Sequence, residues 1–166
     1  NSWYFFFICS IVLFLAQNNF AQETNVKFQS YSTQHGLSQS SVITIYQDND
    51  GFMWFGTYGG LNRFDGYSFK RYEYLENVSS AISDNHVRSI CPDSAGIMFI
   101  GTTGGLNRFF PDIEEFIHYK HNPDNPSSLA DDKIYAMFKD SDGEVWIGTW
   151  GGGLDKLERI NKPYKS

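Results

Sequence analysis

The chain has 166 residues, 41% hydrophobic and 17% aromatic, which is enough for one domain with a sizeable core. Its formal charge is −6 and it holds no basic cluster, so nucleic acid is excluded as an expected partner. The 15 glycines fall mostly at recurring positions and mark turns, not a flexible linker.

Trp3 to Ala16 is an almost unbroken apolar run. It is shorter than the roughly 20 residues a membrane-spanning helix needs. It suits the apolar region of a secretory signal with cleavage after Ala21, which makes residues 1–21 a signal segment. No Met opens it and no Lys or Arg precedes Lys27, so its first residues are expected to be missing. An uncleaved membrane anchor is the alternative. A lipoprotein signal is disfavoured by bulky Phe7 and Ile8 before Cys9. With the segment removed, Cys91 is the one cysteine left, no internal disulfide forms, and Cys91 reads as a small buried hydrophobe.

Phe28–Tyr31 is an aromatic strand candidate, and His35-Gly36-Leu37-Ser38 is a turn. From there the sequence repeats. Gly-Thr pairs begin at Gly56, Gly101 and Gly148, giving periods of 45 and 47 residues. Leu37, Ile82 and Leu129 each stand five residues before Val42, Val87 and Ile134, and these stand six before Asp48, Asp93 and Asp140. Self-similarity at this period in short β-type segments signals propeller blades or a related array.

Each repeat parses into short strands. The first is Val42–Gln47, Val87–Cys91 or Ile134–Lys139, with a small third residue (Thr44, Ser89, Ala136) suited to the crowded strand nearest a central axis. Asp50-Gly51, Ala95-Gly96 and Asp142-Gly143 carry the chemistry of a two-residue hairpin turn. The second strand holds Trp54, Phe99 or Trp146, expected to pack between blades, and then Gly56, Gly101 or Gly148. The third begins at Leu61, Leu106 or Leu154, and an extra glycine among Gly151-Gly152-Gly153 lengthens or bulges the last loop. Fourth strands are expected at Ser68–Tyr72 and Phe116–Tyr119, and nothing convincing follows in the third copy. The expected fold is all-β: a partial propeller of about three blades of antiparallel strands (37–75, 82–122 and 129–157), an incomplete ring, with a tail over 158–166.

Several patterns invite chemistry. Asp48-x-Asp50-Gly51 and Asp140-x-Asp142-Gly143 suggest calcium loops, but the twelfth positions are Gly59 and Gly151 where a Glu ligand is needed, so turn aspartates are the better reading. His118-x-x-His121 has no Cys or acidic partner at zinc-site spacing, and isolated His35 and His86 read as solvated. Gly56-x-x-Gly59-Gly60 precedes a strand, not the helix a phosphate loop requires. Glu114-Glu115 reads as a solvated turn. No catalytic residue, metal or cofactor is expected. Tyr58, Thr103 and Trp150 share one loop position, with Arg63 and Arg108 in the strands that follow; these five are the candidate ligand contacts on a propeller rim. The competing reading, favoured for the arginines, is repeated structural hydrogen bonding.

The pattern Val-x-x-Ile-x-x-Asp-x-x-Gly-x-x-Trp-Ile-Gly-Thr-x-x-Gly-Leu-x-Arg-Phe resembles the two-component regulator propeller repeat, over about Phe28 to Leu157. Departures are Ala95, Phe99 for Trp, and the extra glycine near Gly152. The resemblance implies the N-terminal periplasmic sensor of a hybrid sensor histidine kinase of the Bacteroidetes type, anchored in the inner membrane. It further implies a glycan-derived small-molecule or oligosaccharide ligand, dimerisation, and further blades and a kinase module as partners. A secreted glycan-binding propeller, or a propeller enzyme resembling streptogramin lyases, is the alternative.

Overall fold

The structure is a computed structural model that describes residues 26–93 and 96–158. The expected signal segment at 1–21 and most of the tail lie outside the described residues. Residues 26–30 fall in a separate N-terminal unit and are exposed without regular structure. The strand expected at Phe28–Tyr31 therefore does not form; Ser32 instead caps a 3-10 turn over Thr33–His35 that ends on Gly36 at φ 109°. With no partner strand beside it, an aromatic run has no ladder to join.

Three antiparallel sheets follow, and among the described residues there is no α-helix. The first blade is β1 Val42–Gln47, β2 Met53–Thr57, β3 Gly60–Phe64 and β4 Phe69–Tyr72. The second is β5 Val87–Pro92, β6 Met98–Thr102, β7 Gly105–Phe110 and β8 Glu115–Tyr119. The third is β9 Ile134–Lys139, β10 Val145–Thr149 and β11 Leu154–Leu157. Every sheet is a simple meander, and β5 packs beside both β1 and β9, so the first strand of each blade is innermost.

The blades stack through two complementary faces. The forward face of the first blade brings Trp54, Leu61 and Tyr72 against Ile82, Val87, Met98, Ile100, Phe109 and Phe116 of the second. The forward face of the second brings Cys91, Phe99 and Leu106 against Leu129, Ile134, Val145 and Ile147 of the third. Trp54 stacks on Tyr72 at 5.8 Å and meets Phe109 edge-on at 5.5 Å. The repeated glycines make these faces fit. A Cβ on Gly56 would lie 2.6 Å from Val87 Cγ1, and one on Gly101 would lie 2.5 Å from Ile134 Cγ2. At Gly148 the nearest heavy atom would be Ala136 O at 3.7 Å.

Hydrogen bonds tie each blade to its own entry segment. Asn62 is fully buried; its Oδ1 accepts from Ser38 N at 2.8 Å, and its Nδ2 donates to Ser38 Oγ and Phe55 O. Asn107 repeats this with Ser83 N at 2.8 Å and Ile100 O. At the same place in the third blade, Asp155 Oδ2 accepts from Ala130 N at 3.0 Å. The threonine of each Gly-Thr pair closes the hairpin: Thr57, Thr102 and Thr149 donate Oγ1–H to the carbonyls of Gly60, Gly105 and Gly153.

Two turns differ from expectation. The Asp-Gly turns are three-residue loops, not two. Asp48 N donates to Phe52 O, Gly51 N donates to Asp48 O, and Gly51 sits at φ 89°. Asp140–Glu144 repeats the arrangement. The glycine follows the turn and supplies a left-handed bulge residue, which is why Asp-Gly alone did not fix the loop length. The two-residue hairpins lie at Tyr58-Gly59 and Thr103-Gly104. In the third blade the corresponding loop spans Trp150 to Gly153.

Candidate functional site

The strands place the five candidate residues at two opposite ends of the blades. Tyr58, Thr103 and Trp150 occupy the β2–β3, β6–β7 and β10–β11 loops, at the end where the innermost strands begin. Arg63 pairs in register with Trp54, and Arg108 with Phe99, next to the Asp turns at the far end. Reading the arginines as neighbours of the loop fails geometrically, since residues three to four apart in a strand stand about 10–13 Å apart.

At the far end the contacts are structural. Asp48 Oδ1 accepts from Asp50 N and Phe52 N, while Oδ2 accepts from Trp54 Nε1 at 2.7 Å. Asp140 does the same with Asp142 N, Glu144 N and Trp146 Nε1. The bond from Trp146, helped by the Glu144 amide, holds the Asp140 carboxyl below the usual aspartate range. The Phe99 ring has no N–H, and in that blade Arg108 donates Nε and Nη2 to Asp93 Oδ2 at 3.1 and 2.9 Å. Arg63 lies over Phe52 at 4.6 Å. Away from that end, on β8 and just beyond it, His118 and His121 each meet a backbone carbonyl, Ala81 O and Leu129 O, at 2.6 Å. Glu114 is bonded by Lys70 and by Tyr72 Oη, and its carboxyl is lowered chiefly by the Lys70 bond. Burial pushes the Tyr72 phenol up to about 12.

The loop end carries a different constellation, crossing all three blades. His86 meets Tyr58 at 5.5 Å. The Arg88 guanidinium lies 5.3 Å from the Tyr58 ring and 4.9 Å from the Tyr135 ring. Tyr135 in turn meets Trp150 at 5.1 Å. Tyr58, Tyr135 and Trp150 are all substantially exposed. Beside them, Asp84 Oδ1 accepts from Thr103 Oγ1 at 2.8 Å and contacts His86 Nδ1 at 3.0 Å. Burial raises the Asp84 carboxyl, but the His86 and Thr103 hydrogen bonds outweigh it and leave the group below its ordinary value. Thus Tyr58, Thr103 and Trp150 converge on one rim, joined by His86, Arg88 and Tyr135.

His86 read from the sequence as an isolated solvated residue, and Arg88 and Tyr135 were missed there, although a signal for these two existed. Register shifts fall between Val42 and Thr44 and between Val87 and Ser89, with a matching shift where Thr149 pairs Ile134. Ile43, Arg88 and Tyr135 are therefore the bulged residues of the innermost strands. A bulge leaves its extra residue outside the ladder and re-aims the side chain. The position changes from Ile to Arg to Tyr while its neighbours repeat.

Separate from the rim, a cleft of about 670 Å³ lies between the outer part of the second blade and β11, lined by residues such as His118, Asn125, Asp155 and Lys156.

Antiparallel blades joined through their innermost strands define a β-propeller array. Three segments of the chain, residues 36–59, 81–104 and 128–151, each match the family model described as "Two component regulator propeller", one segment in each blade. Histidine kinase P4 of Formosa agariphila is 47% identical over 78 residues, which cover 46% of this chain and 6% of that protein. A solved extracellular domain, assigned to a hybrid two component system of B. thetaiotaomicron, superposes with TM-score 0.72 at 30% identity. The match covers 78% of this chain and 18% of that one. Virginiamycin B lyase from Staphylococcus aureus shares the fold alone, with TM-score 0.51 and 17% identity over 84% of this chain and 47% of that one. The chain thus spans a small part of both two-component relatives.

Proposed function

We infer that the chain is the ligand-detecting part of a larger two-component signalling protein, held on the outer side of the cytoplasmic membrane, and that ligand docks on the loop rim. The observation that carries this is the unbroken path His86–Tyr58–Arg88–Tyr135–Trp150, exposed rings and one cation drawn from three blades to a single edge. Packing does not require large rings at an edge facing water, whereas flat rings flanked by polar groups suit the C–H faces of a sugar. The likeness to an extracellular two-component domain and to a histidine kinase supports the signalling role. The chain performs no chemistry of its own here. A glycan breakdown product is the stimulus, further blades complete the receptor, and paired receptors pass the signal to a kinase module.

The test is a transcriptional reporter driven by the full-length parent protein in its host, challenged with oligosaccharide fractions of environmental polysaccharides. Trp150→Ala and Tyr58→Ala should abolish the response at unchanged protein level. A full response from both variants would refute the rim as the detecting surface.

A further inference from the structure

We propose that the rim site selects an acidic sugar, one bearing a carboxylate or sulfate, and that Arg88 is the residue that reads the negative group. The proposal rests on the rim-sensing function above and names its ligand class.

Arg88 occupies the bulge of the middle innermost strand, so one ring reaches it from each neighbouring blade, Tyr58 on one side and Tyr135 on the other. Both contacts leave the guanidinium edge unused, since cation–π attraction acts through the ring face. Arg88 Nε is buried and has no hydrogen-bond partner. The other arginines in comparable strands are engaged with acceptors or stacked at the far end: Arg108 donates twice to Asp93, and Arg71 Nε donates to Gly36 O at 2.7 Å. The acid closest in sequence, Asp84, is bonded to His86 and Thr103. No protein acceptor on the rim therefore uses the hydrogen-bonding capacity of this guanidinium, which leaves a charge-assisted bond for an anion that reaches it.

The geometry matches the ligand class. A guanidinium offers a planar fork that pairs two-fold with carboxylate or sulfate oxygens. Tyr135 and Trp150, tilted 38° to one another and largely exposed, form a platform next to it. A sugar ring on that platform would turn its acidic substituent toward Arg88. The chain carries a net charge of −6, so it exerts no general attraction on anions, and capture of an acidic probe reports a local site.

The experiment is calorimetric titration of the chain with three probes: tetragalacturonate for carboxylate, a chondroitin sulfate tetrasaccharide for sulfate with carboxylate, and neutral cellotetraose. At least one acidic probe should bind, more weakly as salt is raised, while cellotetraose should not. Arg88→Gln should weaken that binding by about 10- to 100-fold, the worth of a charge-assisted hydrogen-bonded pair. Arg88→Lys, which keeps the charge but not the fork, should restore part of it. Thermal melts of both variants separate lost binding from lost folding. Which acidic probe binds distinguishes carboxylate from sulfate. If neither acidic probe binds, if cellotetraose binds equally well, or if Arg88→Gln binds as the parent does, the proposal is overturned. A neutral ligand whose binding is lost in Trp150→Ala yet kept in Arg88→Gln would remove the acidic class and leave the rim-sensing function standing.

Discussion

Gly101→Ala isolates the device that lets blades stack. Gly101 lies in β6 with ordinary strand backbone, so alanine meets no conformational barrier there. Its Cβ would stand 2.5 Å from Ile134 Cγ2 and 2.6 Å from Ser89 Oγ. Ile134 is fully buried and β-branched, so it has no rotamer to retreat into. Overpacking of this kind costs about 1–3 kcal/mol. Replacing glycine also lowers unfolded-state entropy, which returns about 0.4–1 kcal/mol. The expected net loss is about 1–2 kcal/mol. The internal control is Gly148→Ala, the same repeat position with only Ala136 O at 3.7 Å, where a gain of about 0.5 kcal/mol is expected. Urea denaturation at fixed protein concentration, followed by tryptophan emission, reads both. Ile134→Ala, which removes the clashing methyl, should make the Gly101→Ala penalty smaller in the double variant than in the single one. Equal stabilities for Gly101→Ala and Gly148→Ala, or strict additivity in that cycle, would refute the seat.

Other outcomes follow from the same geometry. Arg108→Ala removes a guanidinium from the nearly buried Asp93 carboxylate and should cost about 3 kcal/mol; Arg63→Ala, which loses stacking on Phe52 and Trp54, should cost less in the same denaturation series. Trp146→Phe removes the largest influence depressing the Asp140 carboxyl, so a carboxyl NMR titration should show its pKa rise. In the parent chain that depressed group stabilises the fold above the ordinary aspartate pKa, and the contribution disappears as pH falls through the lowered value; in Trp146→Phe this acid-sensitive increment should shrink. The forward face of the third blade leaves Phe138 and Leu154 at 67% and 65% exposure, while their equivalents Cys91 and Leu106 are at 2% and 1%. Light scattering of the expressed chain should therefore show self-association, reduced by Phe138→Lys; a monodisperse parent chain would count against it.

The array was legible because its spacing is enforced by contact. Gly56 and Gly101 recur since the next blade's Val87 and Ile134 press on them, and Leu37, Ile82 and Leu129 recur since each fills the same buried place. Turn length was not legible, because Gly51 and Gly143 act as bulge residues after the turn, and their sequence suits either role. The rim was legible only in part. Tyr58, Thr103 and Trp150 share a loop register, which repeats reveal. Arg63 and Arg108 stand beside that loop in sequence but at the far end in space, because a strand carries the chain away from its turn. Arg88 and Tyr135 were hidden for the opposite reason: attention to what repeats passes over the one strand position that changes.

The asparagine clasps bear on how the chain acquires its structure. Ser38 to Asn62 and Ser83 to Asn107 each close a span of 24 residues, and Ala130 to Asp155 closes one of 25. Every clasp joins the start of a blade to its own third strand, so none waits for a later blade. Short loops close at small entropic cost. A chain emerging N-terminus first, from a ribosome or through a membrane pore, can fasten each sheet before the next appears, and each finished sheet then offers the template face on which its successor assembles.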